Sequence, residues 1–211
     1  MTGSAPKSPA PLPLVETAFL SSAACLMWLI NTYFLGGQAL KPFLALPIVL
    51  VYLRWGKRAG WMSVVVSSLL LSVLMGPTRS VLFAIPYGLI GIQLGAFWRR
   101  GIGWGWSILA GATLDCSGFF FRIWLASAML GEDLWGLLTA RATDILSWFL
   151  DLFGLLTEPT ILAVQLVAFG ILFLNSLLSL LITHLMALLL FERIGGPIPR
   201  PPEWLETMLE L

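Results

Sequence analysis

One apolar segment of the chain, residues 104–129, carries both an aspartate and an arginine deep inside it. The segment is long enough to cross a bilayer, and a charged side chain at the bilayer centre costs roughly 2.5–3.5 kcal/mol on insertion scales. Asp115 and Arg122 are seven positions apart, which is two helical turns, so both point to the same side of a helix. A pair of opposite charges at this depth favours a site for an anionic or zwitterionic small molecule.

The composition of the chain is that of a membrane protein. Hydrophobic residues make up 58% of its 211 residues and charged residues only 11%, whereas soluble domains carry about 25% charged residues. Several apolar runs approach or exceed the ~18 residues of a membrane-spanning helix. No run of basic residues is present, which excludes nucleic acid as the expected partner and leaves the lipid bilayer.

Apolar runs separated by glycine, proline and basic turns predict an all-α bundle of six transmembrane helices. The predicted spans are residues 15–35, 42–54, 60–76, 80–98, 104–130 and 160–191, between a Pro-rich disordered tail at 1–14 and a cytoplasmic tail at 192–211. The second span is too short to cross a bilayer unless neighbouring helices cover it. Residues 132–153 carry polar and apolar stripes at helical spacing, which predicts an amphipathic helix in the membrane interface.

Small residues recur at helical spacing on two of the predicted spans. The first span carries Ala18 and Ser22, and the fourth carries Gly88, Gly91 and Gly95. Small side chains let two helices approach closely in a membrane. These positions therefore predict either helix packing inside the bundle or docking of a partner subunit.

The distribution of basic residues predicts the orientation of the bundle. With both termini in the cytoplasm, eight basic residues lie inside and three outside, which satisfies the positive-inside rule. The inside set is Lys7, Arg54, Lys57, Arg58, Arg99, Arg100, Arg193 and Arg200, and the outside set is Lys41, Arg79 and Arg141. We therefore expect a multi-pass protein, N-in and C-in, in the bacterial inner membrane or an internal membrane such as the thylakoid.

This orientation places most polar side chains of the spans in the outer half of the bundle. Asp115 falls near the midplane, and Arg122 falls about 10 Å further out at the rise of an α-helix. Such a distribution suits a cavity that opens to the exterior. The predicted ligand-binding residues are Asp115, Arg122, Arg79, Asn31, Gln165 and Asn175.

Motifs for ATP use or for hydrolysis are absent from the sequence. There is no Walker A loop, no H-E-x-x-H and no G-x-S-x-G. One histidine and two cysteines at lipid depth do not make a metal site or a Cys/His dyad. We therefore expect neither an enzyme nor a bound metal or cofactor.

A set of proline, glycine and basic positions runs through residues 44–109. They are Pro47-Ile48, Leu53-Arg54-Trp55-Gly56, Gly60, Gly76-Pro77, Tyr87-Gly88-Leu89-Ile90-Gly91, Gly95 and Arg99-Arg100-Gly101. In these marks the chain resembles the YybS-like family of predicted bacterial membrane proteins, which has no assigned function. That family is distantly similar to the substrate-binding S-components of energy-coupling-factor transporters.

The resemblance to S-components implies a six-span bundle that binds a vitamin- or metabolite-like molecule. It also implies partners, namely a coupling-factor transmembrane subunit and ATPase subunits that supply the energy. Small residues on the first span of S-components contact the coupling subunit, and Ala18 and Ser22 resemble that pattern.

Two functions stay open on these residues. The first is a membrane-embedded binding subunit of a transporter, with Asp115 and Arg122 in the ligand site. The alternative is a non-transporting scaffold or assembly factor of the MreD kind, which acts through helix contacts with another membrane protein. In that case Asp115 and Arg122 are structural, and the glycines of the fourth span form a partner seam.

Overall fold

The computed structural model describes residues 11–152 and 160–192, and every regular element in these ranges is helical. The helices are α1 (Pro11–Tyr33), α2 (Leu46–Trp55), α3 (Lys57–Met75), α4 (Pro77–Phe83), α5 (Leu89–Arg99), α6 (Trp104–Leu130), α7 (Leu134–Leu152) and α8 (Ile161–Glu192). A 3-10 segment, Gly37–Phe43, precedes α2, and a π-helical turn, Ala84–Gly88, joins α4 to α5. The predicted all-α class is confirmed.

The two predicted tails lie largely outside the described residues. Of the N-terminal tail, residues 11–14 belong to the first turn of α1, so this helix begins four residues before the predicted span. Of the C-terminal tail, the described part is its first residue, at the end of α8.

Single glycines make two of the sharpest connections in the bundle. Gly56 alone separates α2 from α3, and Gly76 alone separates α3 from α4. Their φ angles are 85° and 90°, in a region that side-chain-bearing residues rarely adopt. The chain therefore reverses direction twice without a loop. Few backbone N–H and C=O groups are then left outside helices at these connections.

Helix α2 is short and lies inside the bundle. It has ten residues, and residues 46–53 are all buried. Leu50 and Leu53 share one apolar cluster with Leu94 of α5 and Leu180 of α8. Because α1, α3 and α5 also pack against α2, its neighbours shield a helix that is too short to cross a bilayer.

Five helical segments of the described chain have the length and apolarity to cross a membrane. They are Leu12–Tyr33, Lys57–Met75, Pro77–Arg99, Trp104–Leu130 and Ile161–Phe191. Their lipid-facing sides carry large exposed hydrophobic residues, such as Phe19, Val73 and Ile171. This confirms an integral membrane protein with several apolar helices, and the count of six spans stays a prediction.

Side-chain contacts define the two ends of the bundle. At one end, Glu16 of α1 accepts hydrogen bonds from Trp55, at 2.9 Å, and from Arg54. The guanidinium of Arg99 lies beside Gly56 at this same end. We call it the basic end; its cations are Arg54, Lys57, Arg58, Arg99 and Arg100. At the opposite end, which we call the Tyr33 end, Arg79 donates a 2.9 Å hydrogen bond to the Tyr33 hydroxyl.

Helices α6 and α8 run antiparallel along most of their length. Ser107 contacts His184 toward the basic end. Asp115, eight residues after Ser107, contacts Ser176, which is eight residues before His184. Helix α7 packs against both, with the Trp135 ring 5.2 Å from that of Phe120. Exposed hydrophobic residues of α7 include Leu137, Ile145, Trp148 and Leu152. Its predicted place in the membrane interface stays a prediction.

Candidate ligand-binding site

A cavity of about 170 Å³, which we call the polar cavity, lies between α6 and α8 near the middle of both helices. The 3-10 segment and the π-helical turn each contribute a side chain to it. Its main polar lining residues are Lys41, Tyr87, Asp115, Arg122, Asn175 and Ser176. Charged and polar side chains that line a cavity in the middle of an apolar helix bundle make it a candidate binding site.

The register between α6 and α8 brings Asp115 into the cavity. Gly111, one turn before Asp115, lies against Leu180 so closely that a Cβ there would come within 2.8 Å of its side chain. The small residue lets the two helices approach, and Ser176 then donates a 2.7 Å hydrogen bond to one carboxylate oxygen of Asp115. Within the described chain Asp115 makes no other side-chain hydrogen bond and no ion pair, so its other carboxylate oxygen can accept from a ligand.

Two cations and one anion line the polar cavity. Lys41 and Arg122 are positive and Asp115 is negative, so the lining carries a formal charge of +1. Within the described chain Arg54 forms an ion pair with Glu16, but Lys41, Arg122 and Asp115 form no ion pair. The cavity therefore offers positive charge that the described protein does not neutralise.

The π-helical turn places the Tyr87 hydroxyl near both charges of α6. Tyr87 is 7% exposed, and its hydroxyl is close enough to Arg122 and Asp115 to interact electrostatically with both. Gly118 lies opposite this turn, and a Cβ there would come within 2.8 Å of Pro86. The turn thus widens the helix at the point where a phenol can face the cavity.

The cavity gathers three of the six predicted ligand residues, namely Asp115, Arg122 and Asn175. Gln165 lies in the neighbouring groove between α7 and α8 instead. Arg79 and Asn31 lie apart from the cavity toward the Tyr33 end, where the Arg79 guanidinium also stacks over the Tyr33 ring at 5.3 Å.

Sequence reasoning missed seven of the ten lining residues, and four of these seven carry a hydroxyl or an ammonium group. Ser176 and Ser179 share a helix face with polar neighbours, and that periodicity could have identified them. Lys41 precedes a proline in the 3-10 segment and gives no periodic signal, and Tyr87 sits in a π-helical turn that shifts the helical spacing. Only the folded arrangement shows that the last two face Asp115.

A second polar cluster lies toward the basic end, around His184. The Nδ1 atom of His184 lies 2.8 Å from the Leu180 carbonyl and must carry the proton, because a carbonyl only accepts. Nε2 then accepts from the Trp98 indole at 3.2 Å and from the Ser107 hydroxyl at 3.1 Å. His184 and Ser107 are both 0% exposed, so this Ser–His contact ties α5, α6 and α8 together without access for a substrate.

The small residues singled out in the sequence lie on two different surfaces. Cβ atoms added to Gly88, Gly91 and Gly95 would come within 2.7–2.9 Å of side chains of α2 and α3. These glycines therefore pack inside the bundle. In contrast, Ala18 and Ser22 are exposed on the outer face of α1.

Residues 23–209 match the sequence profile of the family described as "Predicted membrane protein (DUF2232)", so the chain belongs to this family. The match confirms the expected membership of a membrane-protein family without an assigned function. It does not test the resemblance to S-components. No curated protein and no solved structure matches the chain.

Proposed function

We propose that this member of the family is a membrane-embedded binding subunit for a small anionic or zwitterionic molecule, which it holds in the polar cavity. The observation that carries the proposal is the cavity lining: Lys41 and Arg122 line one cavity together with Asp115, and none of the three forms an ion pair within the described chain. We propose binding without catalysis.

The energetic cost of these charges supports a ligand. Asp115 lies eleven residues into α6, which is about 16 Å along a hydrocarbon core of roughly 30 Å. Each charge at such depth costs roughly 2.5–3.5 kcal/mol on insertion scales. A purely structural role predicts that Arg122 pairs with a carboxylate, as Arg54 does with Glu16 at the basic end. An anionic ligand group supplies the counter-charge that the described protein leaves out.

The ligand geometry follows from the lining. An anionic group binds between Lys41 and Arg122, where charge-assisted hydrogen bonds are strongest. A hydroxyl or ammonium group of the same molecule donates to the free oxygen of Asp115, whose other oxygen is held by Ser176. Asn175 and Tyr87 complete the polar contacts.

For transport, energy comes from partner subunits. The chain has no Walker A loop, so an ATPase acts in trans, as the resemblance to S-components implies. The outer face of α1 is the proposed docking face for a coupling subunit, since Ala18 and Ser22 are exposed there and allow close helix approach.

The proposed orientation puts the basic end in the cytoplasm and the polar cavity in the half that opens outward. Five cations of the described chain lie at the basic end, in keeping with the positive-inside rule. Cysteines at Gly103 and Glu132, which are exposed and flank α6, test this with a membrane-impermeant maleimide. Labelling of Glu132→Cys alone in intact cells is expected; labelling of Gly103→Cys alone contradicts the orientation.

Native mass spectrometry of the protein from mild detergent tests the function. We expect a bound small molecule on the wild type that Arg122→Gln and Asp115→Asn lose, because a hydrogen bond to a charged group contributes about 1.5–3 kcal/mol. Arg79→Gln is the matched control, an arginine outside the cavity that leaves the adduct in place. Equal adducts on all four proteins contradict the proposal.

The scaffold alternative retains one supporting observation, which is the same exposed face of α1. The glycines of its predicted partner seam are already packed against α2 and α3. A partner protein that Ser22→Leu releases, together with no ligand effect of Arg122→Gln, favours this alternative.

A further inference from the structure

The polar cavity is too small for a whole metabolite-sized ligand. Its volume is about 170 Å³, whereas small-molecule sites usually have volumes of about 300–1,000 Å³. The space suits a head group with one anionic centre and little more. The remainder of a larger ligand must lie outside this cavity.

An apolar groove adjoins the polar cavity. It lies between α7 and α8, has a volume of about 280 Å³, and shares Phe119 and Leu172 with the cavity lining. We call it the α7–α8 groove; among its other lining residues are Trp135, Leu138, Ala142 and Ala168. Apart from Gln165 and Thr139, the side chains that line it are hydrocarbon or aromatic.

The α7–α8 groove continues along the two helices. A further apolar space of about 280 Å³ shares Ala142 and Ala168 with it and extends to Trp148 and Phe149. From Trp135 to Phe149 the groove follows fourteen residues of α7, which is about 21 Å at helical rise. A long unbranched or isoprenoid chain fits such a shape, and a compact water-soluble molecule does not fill it.

From this continuity we infer that the ligand is an amphiphile, with a phosphate or carboxylate head between Lys41 and Arg122 and one long apolar chain in the α7–α8 groove. The inference rests on the proposed function of the polar cavity and names its substrate class. Any bilayer lipid can cover an apolar groove, but the +1 charge of the adjoining cavity selects an anionic head. Helix α7 then forms one side of the groove and holds the apolar chain of the ligand against α8.

Thermal unfolding in phosphatidylcholine nanodiscs tests the inference with two probes, dodecyl phosphate and ethyl phosphate. Both carry the same phosphate monoester, so they separate a head group alone from a head group with a chain. Ala168→Phe fills the groove from α8 and Ala142→Phe fills it from α7. Ala128→Phe is the matched control, because it adds the same ring on an exposed position of α6.

We expect dodecyl phosphate to stabilise the wild type and Ala128→Phe equally. Its apparent affinity falls at least about tenfold in Arg122→Gln and in either groove variant, since each removes charge-assisted bonds or buried methylene contacts. Ethyl phosphate binds more weakly, and its affinity depends on Arg122 but not on Ala168. Two groove variants guard against the case in which one of them does not fold.

Two outcomes contradict the inference in different ways. If both probes bind with equal affinity and the groove variants change neither, the ligand is a free anion, so the amphiphile is wrong and the proposed function stands. If neither probe binds in a manner that depends on Arg122, the polar cavity is not an anion site, and the proposed function fails with the inference.

Discussion

The polar residues of α1–α5 and those of the polar cavity between α6 and α8 have different kinds of partner. In α1–α5, glycines bring helices into contact and serine hydroxyls are paired inside the protein, as with Ser21 and Ser63 at 2.9 Å. In α6–α8, Gly111 brings α6 close to α8, and the polar cavity lies next to this contact. Arg122 lines that cavity and forms no ion pair within the described chain.

By this difference α1–α5 form a structural scaffold, and the polar cavity beside α6 and α8 is the candidate binding site. A buried hydroxyl that is paired within a protein contributes to its rigidity, whereas a charge left for an outside partner costs stability until that partner binds. Ser67 donates to the Ser21 carbonyl and Ser80 to the Ser68 carbonyl, so these hydroxyls join α3 to α1 and α4 to α3. Within the described chain the two cations of the polar cavity form no ion pair, and Arg122 has the neutral Tyr87 hydroxyl beside it, so the positive charge of both is available to an anionic ligand.

The largest expected effect is a loss of stability from Gly91→Val in the scaffold. A Cβ at this position would lie 2.8 Å from Ile48 Cβ, and α2 cannot move away because its neighbours surround it. We expect a loss of about 2–3 kcal/mol, at the upper end of overpacking costs, seen as a lower midpoint of thermal unfolding in detergent.

The matched control is Gly170→Val on α8, where an added Cβ meets nothing within 4 Å. It adds the same side chain with the same loss of backbone freedom. Equal unfolding midpoints for the two variants contradict the contrast between the tightly packed position of Gly91 and the open position of Gly170.

A smaller effect of opposite sign is expected at the site. Arg122→Leu removes an unpaired charge from the membrane, so the ligand-free protein gains up to about 2 kcal/mol in stability while anion binding is lost. Arg79→Leu is the comparison, because it removes an arginine that bonds to Tyr33 and so lowers the unfolding midpoint. Destabilisation by Arg122→Leu equal to that by Arg79→Leu indicates a structural arginine.

The helices of both parts could be predicted largely from sequence. Apolar runs end at glycines such as Gly56 and Gly76, whose positive φ angles terminate helices whatever the tertiary structure. Helix α6 begins at Trp104 and ends at Leu130, within the segment that hydropathy and the glycine after it define. These signals are local, so a single sequence is enough to predict where the helices begin and end.

The site was predicted only in part, because it depends on how the helices are rotated and where they touch. Asp115 and Arg122 share a face by their spacing, so their co-location followed from the sequence. Lys41 reaches the cavity through the fold of the 3-10 segment, and nothing in its local sequence indicates this. Gln165 shares a face with Ser176 by spacing, yet it lies in the α7–α8 groove because α7 covers that end of α8.

The smallest expected effect is that of Ser63→Ala in the scaffold. The substitution removes the hydrogen bond to Ser21, but the Ser21 hydroxyl keeps its 2.6 Å bond to the Thr17 carbonyl and is not left unpaired. Interhelical hydrogen bonds in membrane proteins average about 0.6 kcal/mol in double-mutant cycles, so we expect a loss of that order. The double variant with Ser21→Ala should lose little more, since both partners of one bond are then gone. A loss for Ser63→Ala as large as that for Gly91→Val indicates that the hydroxyl pair between α1 and α3 contributes as much stability as the close packing of α5 on α2.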